Sequence, residues 1–247
     1  MKPLLLACAA LLCAPVAAPA ALAQKTPVDV ALVLAVDASG SIDPGEFRLQ
    51  KEGIAQAITD REILSAIRTG PLQRIAIAYV EWGAPGGAEN VVSWMVVDGE
   101  AGARRFADAV MAAPRSMQSF NAIGDAIDLG INMVRDCTCE PTRAVIDISG
   151  DNRDNRSFKP APVARDHAVA AGITVNALAI LDESRGGVDA GGRPWLAEYY
   201  ERDVIGGPGS FVVTAQNRDD FKRALRHKLI REIAAGEAPT KFADRRD

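Results

Sequence analysis

The chain is poor in the residues that most nucleophilic and thiolate chemistry needs: 247 residues contain two His, four Cys and only 5% aromatic side chains. Cys8 and Cys13 fall in the N-terminal apolar stretch, which leaves Cys137 and Cys139 in Asp136-Cys137-Thr138-Cys139-Glu140. Two thiolates make a zinc site only with further ligands, and His167 and His227 are the whole imidazole supply. A disulfide that staples a loop at the end of a helix is the better reading; a small strained ring or a bridge between two chains are the forms it takes in an oxidising compartment. No basic run or basic-aromatic stripe offsets the formal net charge of -4, which argues against nucleic acid as a partner. Beyond the N-terminus no segment approaches the roughly 20 uninterrupted apolar residues of a membrane span.

The same scarcity argues against catalysis. Both His lie on expected helices, away from strand ends, where they read as surface residues rather than general bases. Ser39 lacks the Gly-x-Ser-x-Gly elbow of a nucleophile. Metal-assisted phosphoester hydrolysis needs a second metal or a base to activate water, and no second carboxylate cluster is evident.

Met1 to Ala23 has the order of a secretory signal: Lys2, a Leu- and Ala-rich stretch, then Ala21-Leu22-Ala23 as a small-x-small cleavage site. Leu5-Leu6-Ala7-Cys8 lies too near the N-terminus to act as a lipoprotein box. The expected organisation is a signal peptide over 1–23, one α/β domain over 24–235 and a polar tail over 236–247. The expected address is periplasmic or secreted.

Strand and helix patterns alternate, as in a parallel sheet covered on both faces. Val28 to Val36 is a nearly continuous apolar run, the mark of a central strand. Asp43-Pro44-Gly45-Glu46 opens a helix with a capping box and Pro at the first position. Strands over 74–82 and 90–97, joined by the Gly/Pro-rich turn at 83–87, form a hairpin that places one antiparallel strand in the sheet. Helices are expected near 100–111, 122–134, 161–171 and 219–234, and further strands at 144–148, 173–180 and 211–214.

The first strand runs into Asp37-Ala38-Ser39-Gly40-Ser41, a carboxylate and two hydroxyls at alternate positions. Magnesium and similar hard cations take oxygen ligands, and alternate spacing aims three of them to one side. A second apolar strand, Val145-Ile146-Asp147-Ile148, ends in Ser149-Gly150-Asp151. In open parallel sheets, ligands gather outside the carboxyl ends of the strands, so both carboxylates fall where loops meet.

Strand, Asp-x-Ser-x-Ser, then helix resembles the metal-ion-dependent adhesion site (MIDAS) of von Willebrand factor type A (VWA) domains. The resemblance covers about residues 28–235 and implies a three-layer, doubly wound α/β sandwich. Its six-stranded sheet is mostly parallel, with one antiparallel strand. Asp37, Ser39 and Ser41 match the first motif and Asp151 the third. The second motif departs: in Ser119-Phe120-Asn121-Ala122-Ile123-Gly124, Asn121 stands where the family has Thr. Its amide oxygen can serve a hard cation, and Ser119 is the alternative. Tyr79-Val80-Glu81-Trp82, the strand ending at Asp151 and Val204-Ile205-Gly206-Gly207-Pro208-Gly209 look like a bacterial exported subgroup of uncharacterised function, DUF1194-like.

Several acidic residues compete for attention. Asp147, inside a strand covered on both faces, is expected to pair with a backbone donor or to orient a ligand loop as a secondary contact; an unpaired charge there would be costly. Glu81 ends a neighbouring strand within reach of the rim, and reads first as a solvated strand-end carboxylate. Asp125 and Asp128 fit an exposed helix face. Asp151-Asn152-Arg153-Asp154-Asn155 lacks the Gly and distal Glu of an EF-hand. Gly186 to Gly192 lacks a phosphate-loop ending and reads as a surface loop, and Asn155-Arg156-Ser157 is a sequon with meaning only in a eukaryotic secretory pathway. The resemblance implies Mg2+, or Mn2+ or Ca2+, and a protein partner whose acidic side chain completes the metal shell. A structural module for envelope assembly, with metal only stabilising the fold, is the rival.

Overall fold

The computed structural model describes residues 25–181, 194–217 and 220–234. The signal segment, the Gly-rich stretch at 186–192 and the tail lie outside the described residues. Strand β1 (Thr26–Asp37) is buried along nearly its whole length and lies at the centre of the sheet. It is flanked by β2 (Ile75–Trp82) and β4 (Cys139–Gly150), both parallel to it. β3 (Glu89–Val97) pairs antiparallel with β2 at one edge; β5 (Ile173–Ile180) and β6 (Val212–Ala215) continue in parallel to the other, giving the order β3-β2-β1-β4-β5-β6. The chain leaves β1 for β2 on one side and later returns to β4 on the other. The carboxyl ends of β1 and β4 therefore flank a topological switch point, the natural crevice of this architecture.

Two apolar layers cover the sheet. On one face Leu32, Leu34, Val36, Ile77, Tyr79 and Val145 pack against α1 (Pro44–Ile58), α2 (Arg61–Thr69), α3 (Glu100–Ala112) and α7 (Phe221–Ala234). On the other, Val33, Ala35, Val80, Trp82, Ile146 and Ile148 pack against α4 (Ile123–Arg135), α5 (Ala161–Ala170) and α6 (Trp195–Tyr199), which runs on as a π-helical turn over Tyr200–Val204. Period-2 alternation thus sends each strand's side chains into two cores. The expected capping box of α1 is present, with Glu46 N–H on Asp43 and Asp43 N–H on Glu46, each at 2.9 Å.

β4 begins at Cys139, five residues earlier than its apolar run suggests. Pro141, which cannot donate to a ladder, still takes a register position opposite Val28. α2 escaped the sequence reading because its apolar positions, Ile63, Leu64 and Ile67, span barely two turns. Cys137 and Cys139 are joined by a disulfide at the α4–β4 junction, buried against Val28, Ala31 and Ala76. This is the local staple and not a bridge between chains. His167 and His227 are both exposed. Among the described residues no helix is long and apolar enough to cross a membrane.

Candidate metal centre

β1 ends at Asp37, which continues the alternation of Val33 and Ala35 and so belongs to the α4–α5 side of the sheet. Its carboxylate is buried, and Oδ1 accepts the Ser39 N–H at 2.8 Å, which curls the chain so that Ser39 Oγ and Ser41 Oγ lie 3.1 Å apart. Ser39 is buried and Ser41 exposed, so the turn runs from core to solvent. Arg115, from the loop after α3, holds this turn from outside. Its guanidinium donates to the carbonyls of Ala38, Ser39 and Ile42 at 2.8–2.9 Å while lying over the Phe47 ring. Nothing in the sequence pattern singled out Arg115, because it binds only main-chain oxygens.

The second loop is tied to the first through Gly40 N–H on Ser119 O at 3.2 Å and, through the β2–β3 turn, by Ala122 N–H on Gly83 O at 3.0 Å. Gly83 is required by close approach: a Cβ there would meet Gln118 and the Phe120 carbonyl at 2.9 Å. Of the two alternative ligands, Ser119 is exposed, whereas Asn121 is buried with its side-chain Oδ1 lacking a hydrogen-bond partner.

The third loop caps the second. Asn121 and Asn155 exchange hydrogen bonds, N–H to side-chain oxygen at 3.1 Å and N–H to carbonyl at 2.9 Å. α4 opens on Ala122 with no capping side chain of its own; Asp154 Oδ1 instead accepts the Ile123 N–H at 3.2 Å and Ser157 Oγ the Gly124 N–H at 2.8 Å. Asp154 N–H in turn donates to Tyr199 OH at 3.1 Å, and Tyr200 OH donates to Asn152 O at 3.0 Å. Asp151 follows Gly150 directly and is buried. Burial first, and the nearby Asp151 carboxylate second, push the Asp37 carboxyl up to about 7, against hydrogen bonds from Ser39 and the Asp151 main chain.

Four expectations change. Asp125 is not on an exposed face: it is buried, and it accepts N–H groups of Gly86 at 2.8 Å and Phe158 at 3.0 Å, stitching the β2–β3 turn to the third loop. Asp128 is half-buried and pairs with Lys159 at 2.5 Å. Glu81 is not solvated; it is fully buried and accepts the Ser116 N–H at 2.6 Å, beneath the second loop. Being odd-numbered like Tyr79, it belongs to the α1–α3 side of the sheet, opposite Asp37. Asp147 also lies on that opposite side, where Lys228 of α7 pairs with it at 2.6 Å and with Glu232 at 2.5 Å. Glu232 further accepts from Asn176 Nδ2 at 2.9 Å. Asp147 therefore anchors α7 through a side chain, and its carboxyl is raised to about 7, by burial first, with Lys228 opposing.

Among the described residues no three His, Cys, Asp or Glu side chains gather as a metal cluster. The set at the switch point is of another composition: two carboxylates, two hydroxyls and an amide oxygen. All are hard oxygen donors, and two of its buried oxygens, Asp37 Oδ2 and Asn121 Oδ1, have no hydrogen-bond partner. That composition fits magnesium, manganese or calcium and not a thiophilic ion.

A family described as "Protein of unknown function (DUF1194)" matches residues 27–237. The chain belongs to the DUF1194 family. No curated protein matches it. Among solved structures, the DUF1194 chain is similar to proximal thread matrix protein 1 from the mussel byssus, at 15% identity and TM-score 0.57 over 85% of this chain and 47% of that one. A form of the same mussel protein is described as having a zinc-occupied MIDAS motif, at 14% identity, TM-score 0.56 and coverage of 84% and 46%. The DUF1194 chain thus spans about half the length of these relatives. It also resembles the vWF domain of the type V pili tip protein Mfa5 from Porphyromonas gingivalis, at 9% identity and TM-score 0.56 over 88% of this chain and 99% of that one. At such identities the likeness establishes the fold alone: this chain has a VWA-type α/β architecture.

Proposed function

We propose that this chain is an exported protein-binding domain that holds one divalent cation at the carboxyl ends of β1 and β4 and uses it to capture an acidic side chain of a protein partner. The signal segment at 1–23 would be removed, leaving the domain over 24–235 and its polar tail in the periplasm or outside the cell. Asp37, Ser39, Ser41, Asn121 and Asp151 would hold the ion, with magnesium the first choice and manganese or calcium the others. When bound, the ion supplies positive charge and an exchangeable position for an incoming oxygen ligand. The protein's own part is positional: Arg115 sets the first loop, Gly40 and Ser119 join it to the second, and Asn155 and Asp154 fix the second against the third.

One observation carries this reading. Asp37 Oδ2 and Asn121 Oδ1 are buried without hydrogen-bond partners, and a second buried carboxylate, Asp151, lies near Asp37. Leaving such oxygens dry and unpaired costs on the order of 1–3 kcal/mol each, more for a charge, so a resident cation is the economical explanation. The relatives named for a thread matrix and a pilus tip support protein contact as the use of such a site.

A structural assembly role, with metal only stabilising the fold, has one observation in its favour: the three loops already bind one another through main-chain hydrogen bonds. Thermal unfolding with magnesium or chelator, run beside partner capture by the wild-type and Asp37→Ala proteins, separates the two. Partner capture that is lost in chelator and in Asp37→Ala supports adhesion through the ion. Capture retained in both, with stability lowered, assigns the metal to the fold alone.

A further inference from the structure

The loops that carry the candidate ligands also carry the two most exposed large apolar side chains among the described residues, and a third beside them. Met117 is 92% exposed and Phe158 81%, with Phe120 at 44%. Met117 lies two positions before Ser119, Phe120 adjoins Asn121, and Phe158 is on the loop that Asp151 opens. Single exposed apolar residues are ordinary; three around one crevice are a patch.

The patch is held in place from beneath. Buried Asp125 accepts both Phe158 N–H and Gly86 N–H, and a Cβ on Gly86 would come within 2.7 Å of the Phe158 ring, so that ring lies over the β2–β3 turn. Arg156 lies over the Phe120 ring, 5.1 Å from its centroid. Met117 stands over a cavity of about 350 Å³ between the first and second loops, lined also by Gly40, Ile42, Arg115 and Gln118. The main chain under Phe158 is therefore braced before any partner arrives, which lowers the ordering cost of binding.

Charge sets the sign of the partner. Arg153 and Arg156 are exposed on the third loop. On the third loop Asp154, and beneath it Asp125, are taken up by main-chain N–H groups; Asp43 and Glu46 bond each other's main chain in the solvent-exposed α1 capping box, and the exposed Glu89 lies on the Met117 side, away from the two arginines. Aromatic, Met and Arg side chains around a small polar centre are also the composition of protein-binding surfaces. We propose that Met117, Phe120 and Phe158, with Arg153 and Arg156, form a recognition rim for an acidic protein segment whose metal-reaching carboxylate is flanked by apolar side chains. This rests on the cation-dependent reading above and adds the partner's chemistry to it: the ion takes the carboxylate, and the rim selects its neighbours.

Acetate and hydrocinnamate carry the same carboxylate and differ in one benzyl group, so they serve as probes. Each is titrated by NMR into the magnesium-loaded full chain, and into its Phe158→Ser, Met117→Ser and Arg156→Gln variants, with magnesium affinity measured separately by calorimetry. Hydrocinnamate binds the wild type about tenfold more tightly than acetate, as expected for partial burial of one ring. The ratio falls toward one in Phe158→Ser or Met117→Ser while acetate and magnesium affinities hold, and Arg156→Gln weakens both carboxylates. Equal affinities in the wild type, or a ratio untouched by either apolar variant, overturn the rim and leave the cation site standing. Failure of magnesium and of both carboxylates to bind overturns the cation reading and the rim with it.

Discussion

Replacing Asp37 by Asn should make the metal-free protein more stable at alkaline pH and leave it unchanged in acid. In the fold Asp37 keeps its proton up to about 7, whereas its ordinary value is 3.8. Between those values the folded chain binds more protons than the unfolded one, so stability is full below about pH 4 and is lost as pH rises through 7. The rise from 3.8 to about 7, at 1.36 kcal/mol for each tenfold change in proton affinity, means that the ionised, metal-free site costs on the order of 4 kcal/mol above pH 7. Asp147 has the same sign in the same window, so the wild-type curve alone does not isolate the site. Urea unfolding of wild type and Asp37→Asn in chelator, from pH 4 to 8, removes that overlap by difference. The variant's advantage should grow from near zero to several kcal/mol across the window, since Asn still accepts the Ser39 N–H. Saturating magnesium should reverse the wild-type trend, because protons then compete with the ion. A difference between the two proteins that is flat in pH would refute the reasoning.

Other consequences are equally direct. Lys228→Met leaves Asp147 and Glu232 buried without their cation and should cost about 3–5 kcal/mol in urea unfolding, more than removing all three charges together. Gly124→Ala should destabilise the fold by more than about 2 kcal/mol in the same assay, because its Cβ would fall 1.9 Å from the Lys159 carbonyl and α4 would have to move. Asn121→Ala should weaken magnesium binding about tenfold or more by calorimetry, no less than the loss of an outer-shell partner, while Ser119→Ala leaves it nearly unchanged.

The frame of the candidate site was legible because two signals coincided: apolar runs that read as central strands, and oxygen-bearing residues just past their ends. Asp37, Ser39 and Asp151 follow from that coincidence. What was illegible depends on distant main-chain donors. Glu81 and Asp125 look like solvent carboxylates until Ser116, Gly86 and Phe158 bring N–H groups to them from other loops. Lys228 is similar: an amphipathic last helix is readable, but its lysine enters the core only because Asp147 meets it there. Strand parity decided Asp147 and Glu81 more sharply than proximity in sequence, since each lies on the face opposite Asp37. Asn121, the departure from the family pattern, is the second-loop side chain that the fold buries with an oxygen to spare.

The central claim is that the buried oxygens at the ends of β1 and β4 hold a divalent cation. Calorimetric titration of magnesium into the purified wild-type chain, with Asp37→Ala beside it, tests this most directly. One-to-one binding in the wild type that releases protons near pH 7 and vanishes in Asp37→Ala is the predicted result. Absence of binding in a folded wild-type protein, or equal binding by both proteins, would contradict it.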